Sequence, residues 1–153
     1  MERIKFMTRK ALMLLATVAL MVVAAAAAAT AATTASQARS ATYIKAHLES
    51  KDGSDVHGTV HLLQLPSGGT QIDVIAKGLK PGKKYISLYY DNPRCAIEQY
   101  EEEDVIGGAP YTAIPGGLGF TTGTADDDLD EIGSVSVRSA RTFELLACAR
   151  VHR

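Results

Sequence analysis

Period-two alternation of apolar and polar residues runs through most of the chain after residue 40, and it restricts the fold more than any other feature. A pleated strand sends successive side chains to opposite faces, so alternation marks a sheet with one buried face. Within Ala41–Glu49, Ile44, Ala46 and Leu48 alternate with Tyr43, Lys45 and His47. Asp52-Gly53 follows, a pair suited to a hairpin turn, and Val56–Leu65 is the return strand. Gly69–Lys77 sets Ile72, Val74 and Ala76 against Gln71, Asp73 and Lys77. After the turn Gly78–Gly82, Lys84–Tyr90 is rich in Tyr and Leu and reads as a strand, broken by Asn92-Pro93. Residues 96–118 form a long connection with Gly107-Gly108, Pro110, Pro115 and Gly116-Gly117. Weaker strands fall at Leu118–Thr124 and Ile132–Arg138. The last strand, Thr142–Val151, places Phe143, Leu145, Ala147, Ala149 and Val151 on one face. Short strands separated by Gly/Pro turns, without a helical period, imply an all-β antiparallel sandwich or barrel. The competing architecture is an α+β domain with a helix over Ala96–Asp104.

The first 40 residues have another character. Arg3, Lys5, Arg9 and Lys10 stand against the single acid Glu2, an uncharged run extends from Ala11 to Ala29, and small polar residues follow to Ser40. A basic start, an apolar middle and small residues in that order describe a secretory signal. Ser36 and Ala38 suit the positions before a cleavage site, with Ala29 and Ala31 as another choice. This divides the chain into a signal peptide, 1–38, and a domain, 39–153. The same run is just long enough to remain as an uncleaved membrane anchor. Weakly apolar alanine favours cleavage, and the flanking cations export the domain in either case, to a periplasm or the cell exterior.

Removing 1–38 takes away four cations and one anion, and shifts the formal net charge from −1 to −4. With no basic excess to neutralise phosphates, nucleic acid is not an expected partner. Two cysteines remain, Cys95 and Cys148, too few for a four-thiolate zinc site. In an exported chain they can pair, the alternative being two separate buried thiols. A bridge would close a loop of roughly 50 residues, a constraint the chain-entropy model values at about 4 kcal/mol.

Several motifs then fall in a telling order: Val56-x-Gly58-Thr59-Val60, Gly78-Leu79-x-Pro81-Gly82, Cys95, and Leu146-Ala147-Cys148-Ala149. This order resembles the copper/zinc superoxide dismutase-like family over residues 41–95 and 142–151. The resemblance implies a Greek-key β-sandwich or barrel with Cys95 bridged to Cys148. It also implies where copper and zinc would bind, and there the chain departs from the family. Aligned from Gly78-Leu79, two copper-binding histidines of the family correspond to Ser87 and Tyr89. Neither a neutral hydroxyl nor a phenol competes with imidazole for copper. Residues 96–118, matching the loop that carries the bridging and zinc-binding histidines, contain no histidine, nor do residues 132–140. The family's guiding arginine corresponds to Leu145. The expectation is therefore a barrel with degenerate copper-site positions at Ser87 and Tyr89, no copper or zinc cofactor, and a non-catalytic role. Ile86 and Leu88 are expected to point into the core, and Tyr85, Ser87 and Tyr89 to fill or line the former metal cavity, as an aromatic plug or, alternatively, as the wall of a ligand pocket.

Other clusters support narrower readings. If Leu48 pairs with Val56, His47 opposes His57 across the first hairpin, close enough for an adventitious metal. With His61 these form the candidate set for a dismutase using relocated ligands, although His57 and His61 lie roughly 13 Å apart along a strand. Glu98, Glu101, Glu102, Glu103 and Asp104 make one acidic run, and Asp126, Asp127, Asp128, Asp130 and Glu131 another. An anionic substrate such as superoxide is repelled by such loops. Asp126-x-Asp128-x-Asp130 imitates the start of a calcium loop, but Glu131 and Val137 replace the required Gly and Glu. An adhesion or calcium-binding module acting through these acids is the third reading. No Gly-x-Ser-x-Gly elbow is present, and no residue pattern names a partner or an oligomeric state.

Overall fold

A computed structural model describes residues 42–97 and 104–152. The proposed signal peptide and the acidic residues Glu98 and Glu101 to Glu103 lie outside the described residues, as does most of the alternative helix over Ala96–Asp104. The described chain forms eight strands: β1 (Tyr43–Ser50), β2 (His57–Gln64), β3 (Thr70–Lys77), β4 (Lys84–Tyr90), β5 (Tyr111–Thr112), β6 (Gly119–Ala125), β7 (Ser134–Ser139) and β8 (Leu145–Arg150). Among the described residues there is no α-helix, and none long and apolar enough to cross a membrane. Seven of the eight fall on segments that read as strands in the sequence. The two-residue β5 lies in the long connection, too short to carry a periodic signal.

The strand order is β5-β4-β7-β8-β1-β2-β3-β6, with every pairing antiparallel. Two crossovers, β3 to β4 and β6 to β7, give the Greek-key connection expected of an all-β chain. The Ile114↔Leu118 bridge joins the connection after β5 to the start of β6, so the sheet nearly closes into a barrel. Its interior holds Val60, Leu62, Ile72, Val74, Val135, Val137, Ala147 and Ala149, all almost wholly buried. The inward positions of β1 and β3 are those the alternation assigns.

Local chemistry explains the turns. Asp52 and Gly53 both take positive φ, 51° and 76°, and Ser54 N–H donates to Lys51 C=O at 2.9 Å, so the pair forms the primed turn that hairpins favour. Gly78 is obligatory in its turn: its φ is 76°, and a Cβ would stand 2.2 Å from the Asp55 carbonyl oxygen. Cys95 and Cys148 form a disulfide with Cα atoms 6.0 Å apart.

Three local expectations are corrected. The first hairpin pairs Leu48 with Gly58 rather than Val56, so His47 opposes Thr59 and His57 opposes Lys77 on β3. The end of β1 leaves β2 to pair with β8 at Glu49↔Cys148 and Ser50↔Ala147, and this departure lengthens the turn. Second, Leu145 does not share a face with Ala147. A bulge places Ala147 opposite Val137 but Leu145 opposite Arg138, so the side-chain phase inverts at Leu146. Phe143, with φ at 59°, lies before the strand and packs with Leu145 in a separate cluster. Third, the faces of β4 are reversed. Tyr85 and Tyr89 belong to the main core, whereas Ile86, Leu88 and Tyr90 pack with the disulfide in the smaller cluster.

Candidate functional site

The face of β4 bearing Ser87 and Tyr89 is the natural place to look for chemistry. Register fixes its direction: Ser87 is paired with Val137 and Tyr89 with Val135, and both valines are fully buried core residues. Cross-strand partners share a face, so this face of β4 points into the barrel. Ser87 is itself fully buried, and its hydroxyl lies 3.2 Å from the Tyr111 hydroxyl. The Tyr85 and Tyr111 rings pack at a centroid distance of 6.3 Å. The Tyr85 hydroxyl accepts a 2.8 Å hydrogen bond from the Lys80 backbone N–H, tying the strand to its preceding turn. Ile106 N–H donates to Ser87 C=O at 3.0 Å, so the chain after the first acidic run straps the free edge of β4.

Electrostatics follow from this packing. Burial raises the Tyr111 phenol to about 12; the hydrogen bond with Ser87 opposes the rise and Tyr85 adds to it. Burial likewise holds the Tyr89 phenol far above the ordinary tyrosine range, reinforced by Asp127, Asp104 and Asp126. Partial desolvation raises the Asp127 carboxyl, Glu131 adds to the rise, and its hydrogen bond with Tyr89 pulls the other way. Acids from both sequence runs, Asp104 from the first and Asp126 and Asp127 from the second, thus act on one phenol at the end of β4.

The second acidic run is a built turn. Asp128 accepts from Gln64 Nε2 at 2.7 Å and from Gly69 N–H at 2.9 Å, while Leu129 N–H donates to Gln64 Oε1 at 2.7 Å. Thr70 donates to the Asp127 carbonyl at 2.9 Å, and Asp128 N–H donates to the Glu131 carboxylate at 2.9 Å. Asp128 is therefore engaged in fastening the turn to the hairpin of β2 and β3.

The histidines are spread out. The His57 ring lies 2.9 Å from Asp55 C=O, the His61 ring contacts the Tyr43 hydroxyl, and the His152 ring lies 3.0 Å from Leu129 C=O. His47 and His57 share the outer face of the first hairpin but stand on a diagonal, not opposite each other. Among the described residues, no group of three or more His, Cys, Asp or Glu is placed to hold a metal ion.

Arg138 carries no signal in the sequence that marks it out. It is buried on β7, opposite Ile86 on β4, with its carbon Cζ 5.9 Å from the Tyr90 ring centroid. Its guanidinium donates to Tyr90 Oη at 2.9 Å, Phe143 C=O at 2.9 Å and Cys95 C=O at 2.8 Å. It fastens the disulfide loop and the turn before β8 onto the outside of the barrel. A cation on the polar side of an alternating strand reads as solvent-facing until the covering loop is known.

No family model matches the chain, and no curated protein matches it. Among solved structures it is similar to a mutant of superoxide dismutase 5 from Candida albicans, at 18% identity and a TM-score of 0.49, over 71% of this chain and 89% of that one.

Proposed function

We propose that the chain is an exported, non-catalytic domain on a superoxide dismutase-like barrel, with a binding or structural role and no copper/zinc centre. The observation that carries this reading is the packing of the β4 face. The positions that the sequence resemblance assigns to copper ligands are Ser87 and Tyr89, both buried against core valines. Their oxygens are engaged, one with Tyr111 and the other with Asp127. A neutral serine and a phenol held protonated are poor donors for copper. The residues present therefore do not fit the family's metal, and no catalytic step is derived through it. The disulfide accords with export.

Metal analysis with an activity assay tests the proposal. Protein incubated with copper and zinc, then dialysed against a mild chelator, is expected to retain less than one-tenth equivalent of either and to show no superoxide disproportionation. One tightly held copper with dismutase activity refutes it. Loss of that copper in the His47→Ala, His57→Ala, His61→Ala triple variant would establish relocated ligands instead. For export, the N-terminus of protein secreted from the full-length chain is expected to be Arg39; retention of residues 1–38 on secreted or membrane-bound material would show an anchor.

A further inference from the structure

We propose that the seam between β1 and β8 is a docking groove for an extended acidic peptide, which adds to the barrel as a strand. This goes beyond the reading above and does not depend on whether the barrel binds copper. The ladder between β1 and β8 consists of Glu49↔Cys148 and Ser50↔Ala147, after which the two strands part. They leave a groove of about 880 Å³. Carried past the point of separation, the register would set His47 opposite Arg150 and Lys45 opposite His152.

Register also fixes where the backbone groups point. Gln64 N–H donates to Thr42 C=O, so the hydrogen-bonded pairs of β1 with β2 fall at Thr42, Ile44, Ala46 and Leu48. The amides and carbonyls of Lys45 and His47 therefore turn away from β2, toward the groove. Val151 N–H donates to Gly133 C=O, which sets the same alternation on β8 and turns the backbone groups of Arg150 toward the groove. Each side presents a strand edge, the feature by which extended peptides are captured.

The groove chemistry selects the partner. Lys45, His47, Arg150 and His152 line it beside one carboxylate, Glu49, and the buried Ala46 and Val151 form its floor. Two fixed cations and two imidazoles thus gather on a domain whose formal charge, outside residues 1–38, is −4. A strand entering here sends alternate side chains outward to Lys45 and Arg150 and inward to the small apolar floor. Carboxylates on the outward positions and small apolar residues on the inward ones complement both surfaces. The splayed part of β1 spans about four residues, or roughly 13 Å, and takes a segment of that length.

The test uses the domain with its disulfide intact and a fluorescein-labelled six-residue peptide of alternating Glu and Val. Fluorescence anisotropy is expected to show saturable binding at physiological salt, and a Lys/Val peptide of the same length is expected not to bind. Lys45→Glu with Arg150→Glu is expected to weaken binding at least tenfold. Both side chains are exposed, and an unchanged melting temperature confirms that the variant is folded. Two analogues, N-methylated at every Glu or at every Val, separate strand addition from charge attraction; at least one is expected to lose tenfold or more. On the unmodified protein, peptide is expected to slow amide exchange at Lys45, His47 or Arg150. Absence of binding overturns the proposal. Undiminished binding of both methylated analogues, or unchanged exchange at all three amides, overturns it as well and leaves only a polyanion patch.

Discussion

Placing a histidine at Ser87 tests the central argument directly, because two readings of that position give opposite results. Ser87 is fully buried, faces the barrel interior beside Val137 and lies 3.2 Å from the Tyr111 hydroxyl. An imidazole is much larger than a hydroxymethyl group, and the side chains around it are close-packed. Overpacking of this kind costs about 1–3 kcal/mol, and loss of the hydroxyl pair about 1 kcal/mol more. Ser87→His is therefore expected to destabilise the domain by about 2–4 kcal/mol. For a domain of this size each kcal/mol moves Tm by about 4 °C, which gives a fall of roughly 8–16 °C. Differential scanning fluorimetry with and without one equivalent of copper measures both the fall and any rescue. The expected result is a lowered Tm that copper does not restore, with no copper retained after dialysis. A variant as stable as the parent, further stabilised by copper, would mean that β4 borders an open metal cavity, and the packing argument would be wrong.

Replacing Cys95 and Cys148 together by alanine is expected to cost about 4 kcal/mol in urea unfolding, from the constraint on the loop they close; a loss below 1 kcal/mol would contradict it. Arg138→Met removes three donors from two carbonyls and a phenol. Relief of the guanidinium's desolvation offsets part of that loss, so about 2–3 kcal/mol is expected, with faster amide exchange around Cys95 and Phe143; unchanged stability and exchange would show that the clamp carries no net energy. Tyr111 supplies a pH test. Its phenol is raised from 10 to about 12, so the folded state holds the proton longer than the unfolded state does. Stability from this group is intact below pH 10, falls as pH rises between 10 and 12, and loses roughly 3 kcal/mol in all. Tyr111→Phe is expected to flatten that decline in unfolding measured across the window, and an unaltered slope would refute the assignment.

What could be read in the chain, and what could not, divides along the range of the forces concerned. Alternation at Ile44–Leu48 and Ile72–Ala76 identifies strands and their inward faces, because each has a charged or polar face that marks solvent. Asp52-Gly53 and Gly78 mark turns because positive φ is a local demand on one or two residues. Two cysteines behind a segment that reads as an export signal suggest their pairing, and the disulfide Cys95–Cys148 is formed. On β4 the same method fails: Tyr85 to Tyr90 are all buried and carry no charge, so no residue distinguishes one side from the other. Only the neighbours, Val135 and Val137 on one side and the disulfide loop on the other, decide that Ser87 looks inward. The bulge at Leu146, the two-residue slip of the first hairpin and the parting of β1 from β8 are likewise set by strand partners far away in the chain. Local composition determined that this chain makes strands and where it turns; the tertiary structure alone decided register and facing, because those depend on contacts between segments that the sequence keeps apart.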